Sequence, residues 1–217
     1  MLIEQDSLTP DGEYLATARA VLALAHENGD GMEISCENVV KAVSNFLGGC
    51  KIDSYAAVNM GAISMINNMV GGVTVTIKDD FSLVDPTMVM GETIKLTDEQ
   101  AMHFVHDRWD VADGTNEARM KRQSDYVRDL KIQLRHKCAE DKEYPLKVYE
   151  QLGDYMVTNV SDQKFAKLAM LMLEDKDDGE LEITGTVTVG DMDYYEMEPD
   201  EESVKQAILT LFYKPYN

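Results

Sequence analysis

Two histidines and two aspartates stand in the octet "HFVHDRWD", residues 103–110. On a helix, residues four apart share a face, so His103 would meet Asp107 and His106 would meet Asp110. Imidazole and carboxylate together suit a divalent metal ion. His103, His106 and Asp107 are therefore candidate metal ligands, and the chemistry they would support is metal-dependent hydrolysis. The competing expectation is an amphipathic helix that turns Phe104, Val105 and Trp109 inward.

A second cluster is acidic. The segment "GDMDYYEMEPDEE" interleaves carboxylates with tyrosines and methionines. Apolar anchors beside charges suit docking on a basic groove. Asp191, Asp193, Tyr194, Tyr195, Glu196 and Glu198 are the candidate partner-binding residues. Residues 174–202 hold 13 acids and one base, whereas 119–147 holds nine bases and five acids. The chain is thus dipolar along its sequence, and the two segments can pair within one chain or between copies in a homo-oligomer.

Other chemistry has less support. The glycine-rich phosphate loops, the nucleophile elbow and the zinc-protease motif are all missing from the sequence. Cys36, Cys50 and Cys138 are scattered, with no CxxC spacing, and read as reduced thiols. No cofactor is expected.

The 217 residues are 44% hydrophobic and 28% charged, which suits a folded protein. The net charge of −20 works against a nucleic-acid backbone and favours a protein partner with a basic surface. The start "MLIEQDSLTPDGEY" lacks the basic and apolar runs of a signal peptide. A cytoplasmic protein is expected, in the host cytoplasm if it is viral.

The elements that must position these residues follow from periodicity and caps. A helix is predicted over 10–28, with Tyr14, Ala18, Val21, Leu22 and Leu24 as its apolar coverage. A second, "SCENVVKAVSNFLGGC", is capped by Ser35 and stopped by Gly48 and Gly49. The stretch 54–77 has no charged side chain. It is too polar for a membrane span, and reads as a buried helix from Asp53 or Ser54 to the Gly71–Gly72 pair, then a strand over 73–77. A second strand, "TMVMGETIKL", would pair with it antiparallel. Thr97 and Gln100 form a capping box for the helix that carries His103. The longest helix candidate spans 113–144, with Met120, Val127, Leu130, Leu134 and Cys138 as its buried stripe. Further helices start at Pro145, Ser161 and Pro199, the last burying Val204, Ala207, Ile208 and Leu211. A strand over 181–189 precedes the acidic segment, which reads as a loop.

The expected fold is α+β and mostly helical, a helical bundle with a small antiparallel β-sheet. It forms a single domain over 1–217, with a weak division near 96/97. The expected function is that of an acidic intracellular protein-interaction protein, an inhibitor or decoy of a nucleic-acid-binding protein. The alternatives are a self-assembling structural protein, viral in origin, and the hydrolase built on His103, His106 and Asp107. A binding protein is expected ahead of an enzyme.

Overall fold

Caps and glycines set most of the element boundaries in the computed structural model, which describes residues 4–8, 14–19, 22–27, 29–174, 181, 183–189 and 195–213. The chain forms two compact units. One comprises Met1–Ala56, Val157–Asn159 and Lys176–Asn217, and the other Ala57–Met156 and Val160–Asp175. The architecture is α+β and mostly helical with small antiparallel sheets, as expected.

In the first unit, β1 (Glu4–Leu8) pairs antiparallel with β2 (Tyr14–Arg19). This corrects the helix expected over 10–28: among its described residues Tyr14–Arg19 is a strand, and Leu22–Glu27 forms α1. The spacing of Tyr14, Ala18, Val21 and Leu22 suits a helix, but β1 supplies the backbone of 14–19 with ladder partners. Next comes α2 (Glu33–Phe46), which packs on α1. Ser35 is not its cap but a fully buried residue inside it, accepting a hydrogen bond from Gly31 N at 2.8 Å. Asp30 does the capping work, accepting from Met32 N at 2.8 Å and Ser35 N at 3.3 Å. Farther on, β7 (Gly185–Val189) pairs antiparallel with β8 (Tyr195–Pro199). The expected acidic loop is thus in part a strand, because β7 offers it a ladder. Asp200 then caps α8 (Glu201–Phe212) by accepting from Ser203 N. Val204 and Ala207 are buried as expected, but Leu211 is exposed.

The second unit holds the larger core. The helix expected from Asp53 or Ser54 begins only at Gly61: residues 56–58 form β3 (Ala56–Val58), which pairs with β6 (Met156–Thr158), and α3 spans Gly61–Val70. Asn59 starts the helix by accepting from Gly61 N at 3.0 Å. Gly71 ends it in the left-handed region, at φ 80°. Gly72 follows at φ 91°, where an added Cβ would lie 2.8 Å from Leu96 O. The pair therefore lets the chain turn tightly into β4 (Thr74–Thr76). β4 pairs antiparallel with β5 (Thr93–Lys95), as expected, with Val75 opposite Ile94.

The charge-free stretch does supply the core. Val70, Val73, Val75 and Ile77 pack with Phe81, Met88, Leu96, Phe104 and Tyr126. Each such side chain contributes about 1.5–3 kcal/mol by leaving water. Met60 is exposed and Met65 and Met69 are half-buried. Asn67 is buried yet fully engaged: its amide donates to Leu96 O and Asp98 Oδ1, and its oxygen accepts from Val73 N.

Around this core stand α4 (Asp98–His106), α5 (Asn116–Glu140), α6 (Tyr144–Leu152) and α7 (Asp162–Glu174). The Thr97–Gln100 capping box is present. The long helix α5 has the expected place. Leu130, Leu134 and Cys138 turn inward as expected, but Met120 and Val127 are exposed, and Arg122 and Tyr126 are buried instead. A charged residue enters the stripe because acceptors await it. Gln133 fastens α5 to β4, accepting from Thr74 N and donating to Gly72 O, both at 2.8 Å.

Candidate functional site

The C-terminus of α4 and the first turns of α5 meet through polar bonds. A helix end leaves carbonyls without intrahelical donors, and α5 supplies them. Arg122 Nε donates to Phe104 O at 3.1 Å, its Nη2 to Asp107 O, and Gln123 Nε2 to Val105 O at 3.1 Å. A cation at a helix C-terminus also complements the helix dipole. Arg122 Nη1 pairs with Asp79 at 2.8 Å, and its guanidinium lies 5.5 Å from the Phe81 ring, which stacks on Phe104. The buried charge is therefore neutralised, and each of its three nitrogens donates to an acceptor.

The loop over 107–115 is stitched down in the same way. Asp107 is already extended, which ends α4. Ala112 N donates to Asp80 O at 3.1 Å, tying this loop to the one after β4. Asp113 accepts from Thr115 N and Oγ1, and these bonds hold its carboxyl below the usual range. Thr115 then caps α5 by accepting from Ala118 N. Arg108 donates to Gly114 O at 2.8 Å and lies 4.4 Å from the Trp109 ring. Trp109, expected inside, is 79% exposed.

Arg119 differs from Arg122. One Nη donates to Asn116 Oδ1 at 2.7 Å, but its buried Nε has no hydrogen-bond partner. Lys121 stands nearby on the exposed side, paired with Glu117 at 3.0 Å; Glu117, with smaller effects from Asp113 and Asp79, raises its pKa. The first turns of α5 thus present a guanidinium with spare donor capacity, where the helix dipole also favours an anion. Such an arrangement can bind a phosphate or carboxylate through charge-assisted hydrogen bonds.

The residues singled out by sequence divide between places. His103 and His106 do meet Asp107. His103 Nδ1 lies 2.7 Å from one carboxylate oxygen and His106 Nδ1 3.3 Å from the other. The expected His106–Asp110 pairing fails because α4 has ended by then. Among the described residues, no three His, Cys, Asp or Glu are grouped to hold a metal ion. Asp191, Asp193 and Tyr194 lie outside the described residues. Tyr195 and Glu196 face Val189 and Thr188 in the β7–β8 ladder, and Glu198 is exposed opposite Thr186. Arg108, Arg119 and Arg122 were missed as site residues. Their only signal in sequence is the surplus of bases after 108, which does not tell a buried guanidinium from a solvated one.

The LytR_cpsA_psr family model matches residues 3–210. The fold is similar to that of TagV from B. subtilis: TM-score 0.69, 21% identity, covering 97% of this chain and 80% of that one. It is also similar to TagT, solved bound to LI-WTA, with TM-score 0.66, 18% identity, and 96% and 74% covered. A third similar structure is an Enterococcus faecalis protein described as a transcriptional regulator, with TM-score 0.68, 19% identity, and 95% and 71% covered. No curated protein matches the chain in sequence.

Proposed function

The chain belongs to the LytR_cpsA_psr family, and from that premise we propose that it acts on a cell-wall glycopolymer at the bacterial cell envelope, as a transferase of the teichoic-acid class. The family membership corrects four expectations drawn from the sequence: the acidic decoy or inhibitor, the viral assembly protein, the hydrolase and the cytoplasmic location. Net charge misled because it is a property of the whole surface, whereas a ligand meets a local field. At physiological salt, exposed charges are screened beyond about 8 Å. A cationic corner can therefore hold an anionic polymer on a chain of charge −20. Among the described residues no helix is long and apolar enough to cross a membrane.

The observation that carries the reading is the family match over 3–210. TagT, of similar fold, was solved bound to LI-WTA, which supports an anionic polymer as the class of ligand. The α4–α5 corner supplies donors of the right charge, with Arg119 as the residue free to meet the polymer. A charged hydrogen bond contributes about 1.5–3 kcal/mol, so Arg119→Ala should weaken binding of soluble teichoic acid by about 10- to 100-fold. Thermal unfolding should barely change, since among the described residues the Arg119 side chain bonds to Asn116 alone. Full-strength binding by the Arg119→Ala protein, read by titration calorimetry at two salt concentrations, would remove Arg119 from the site. No binding by the unaltered chain would sink the reading itself.

A further inference from the structure

The first unit contains an open cleft of about 300 Å³ between α2 and the segment that leads into β3. That volume is at the lower end for small-ligand sites. Val40, Ile52 and Tyr55 give it apolar surface, and Glu37, Lys41, Ser54 and Asn159 line it with polar groups. The backbone there is fixed: Tyr55 N donates to Asn159 Oδ1 at 2.9 Å, and Thr158 Oγ1 donates to Tyr55 O. Asn159 keeps its amide donors for another partner.

The charged pair on α2 is informative. Glu37 and Lys41 are one turn apart, a spacing at which such residues can join. They do not pair with each other, and both are exposed at the cleft. Lys51, which also lines it, is occupied by Asp53. An apolar ligand would desolvate Glu37 and Lys41 with no return. An anion would meet Glu37, and a cation would meet Lys41. A neutral ligand rich in hydroxyls satisfies both, because each hydroxyl donates and accepts. A pyranose also offers a face of C–H groups to Tyr55, Val40 and Ile52. Burial raises the pKa of Tyr55, and Glu33, Cys36 and Glu37 add to it, so its hydroxyl stays a donor at neutral pH.

We propose that this cleft is a saccharide subsite, holding a pyranose unit of the glycopolymer with Glu37 as acceptor and Lys41 and Asn159 as donors. It rests on the reading of the chain as a glycopolymer transferase, but uses residues remote in sequence from Arg119. The test is a titration of the whole chain with neutral chitobiose (the N,N′-diacetyl form), followed by saturation-transfer NMR. Saturable binding is expected, with a dissociation constant on the order of 1 mM. Glu37→Gln and Asn159→Asp should each weaken it about tenfold, the latter keeping the acceptor for Tyr55 N. Arg119→Ala should leave it unchanged. Circular dichroism of each variant checks that α2 is intact. Absence of saturable binding, or binding indifferent to both substitutions, overturns the subsite. So does a cleft that takes the zwitterion glycylglycine and not chitobiose, which would make it a peptide site. If chitobiose binds as expected while teichoic acid does not, the transferase reading fails and the subsite stands.

Discussion

At the α4–α5 corner, Arg122 is 3% exposed and is held by Asp79 and two backbone carbonyls. In the β7–β8 hairpin, Glu198 is exposed opposite Thr186, and the apolar pair Val187 and Met197 is exposed too, at 61% and 46%. The first region has fewer charges than the acidic segment but fixes them in a low-dielectric setting, where geometry matters. The second has a larger charge surplus whose described side chains meet water. Charge density along the sequence therefore does not tell the two settings apart. A bound guanidinium can position a ligand, whereas a solvated carboxylate mainly sets solubility.

Removing Arg122 is the strongest way to break this contrast. Arg122→Ala leaves Asp79 and the α4 carbonyls without their partner, and should cost about 3–5 kcal/mol in urea unfolding. A loss below about 1 kcal/mol would put Arg122 in the same solvated class as Glu198. Asn67→Ala should come next, at about 1–3 kcal/mol, since it strands Val73 N and Leu96 O in the core.

A smaller effect is expected from acid. The Thr87 hydroxyl, then Thr87 N and the Gln100 amide, hold the Asp85 carboxyl below the ordinary 3.8. A depressed carboxyl stabilises the fold above its unfolded pKa and stops doing so as pH falls through the lower, folded value. Stability should thus decline as pH drops below about 4, and less steeply in Asp85→Asn. Identical acid profiles for the two proteins would show that the Asp85 bonds carry no linkage. The smallest effect belongs to the hairpin: Val187→Ala should shift stability by less than about 0.5 kcal/mol. A loss above 1 kcal/mol would mean that this apolar face is covered, and the contrast between the regions would narrow.

Part of the site was legible in sequence. The octet 103–110 does mark the corner, and His103, His106 and Asp107 do come together. The capping box placed the start of α4, which a short local pattern can do. What the octet did not reveal is that its helix ends at His106, and that the cations wanted there come from the next helix. Nothing near Arg119 in sequence distinguishes it from Lys121, although one has a buried unpartnered nitrogen and the other a surface ion pair.

By itself the sequence determined the features set by neighbours along the chain: the Thr97–Gln100 box, the Gly71–Gly72 stop, the β4–β5 pair, the long α5 and the mostly helical α+β class. The cap and the glycine stop depend on contacts within a few residues, whereas β4, β5 and α5 were legible from their period and their partners happened to agree with it. Only the tertiary structure decided that Tyr14–Arg19 is a strand, that the acidic segment contributes β8, and that Arg122 takes a core position while Met120 and Val127 face water. Each of those outcomes rests on a partner distant in sequence: β1 for β2, β7 for β8, and Asp79 with the end of α4 for Arg122. Desolvation and hydrogen bonding are settled by who stands opposite, and local residue type does not encode that.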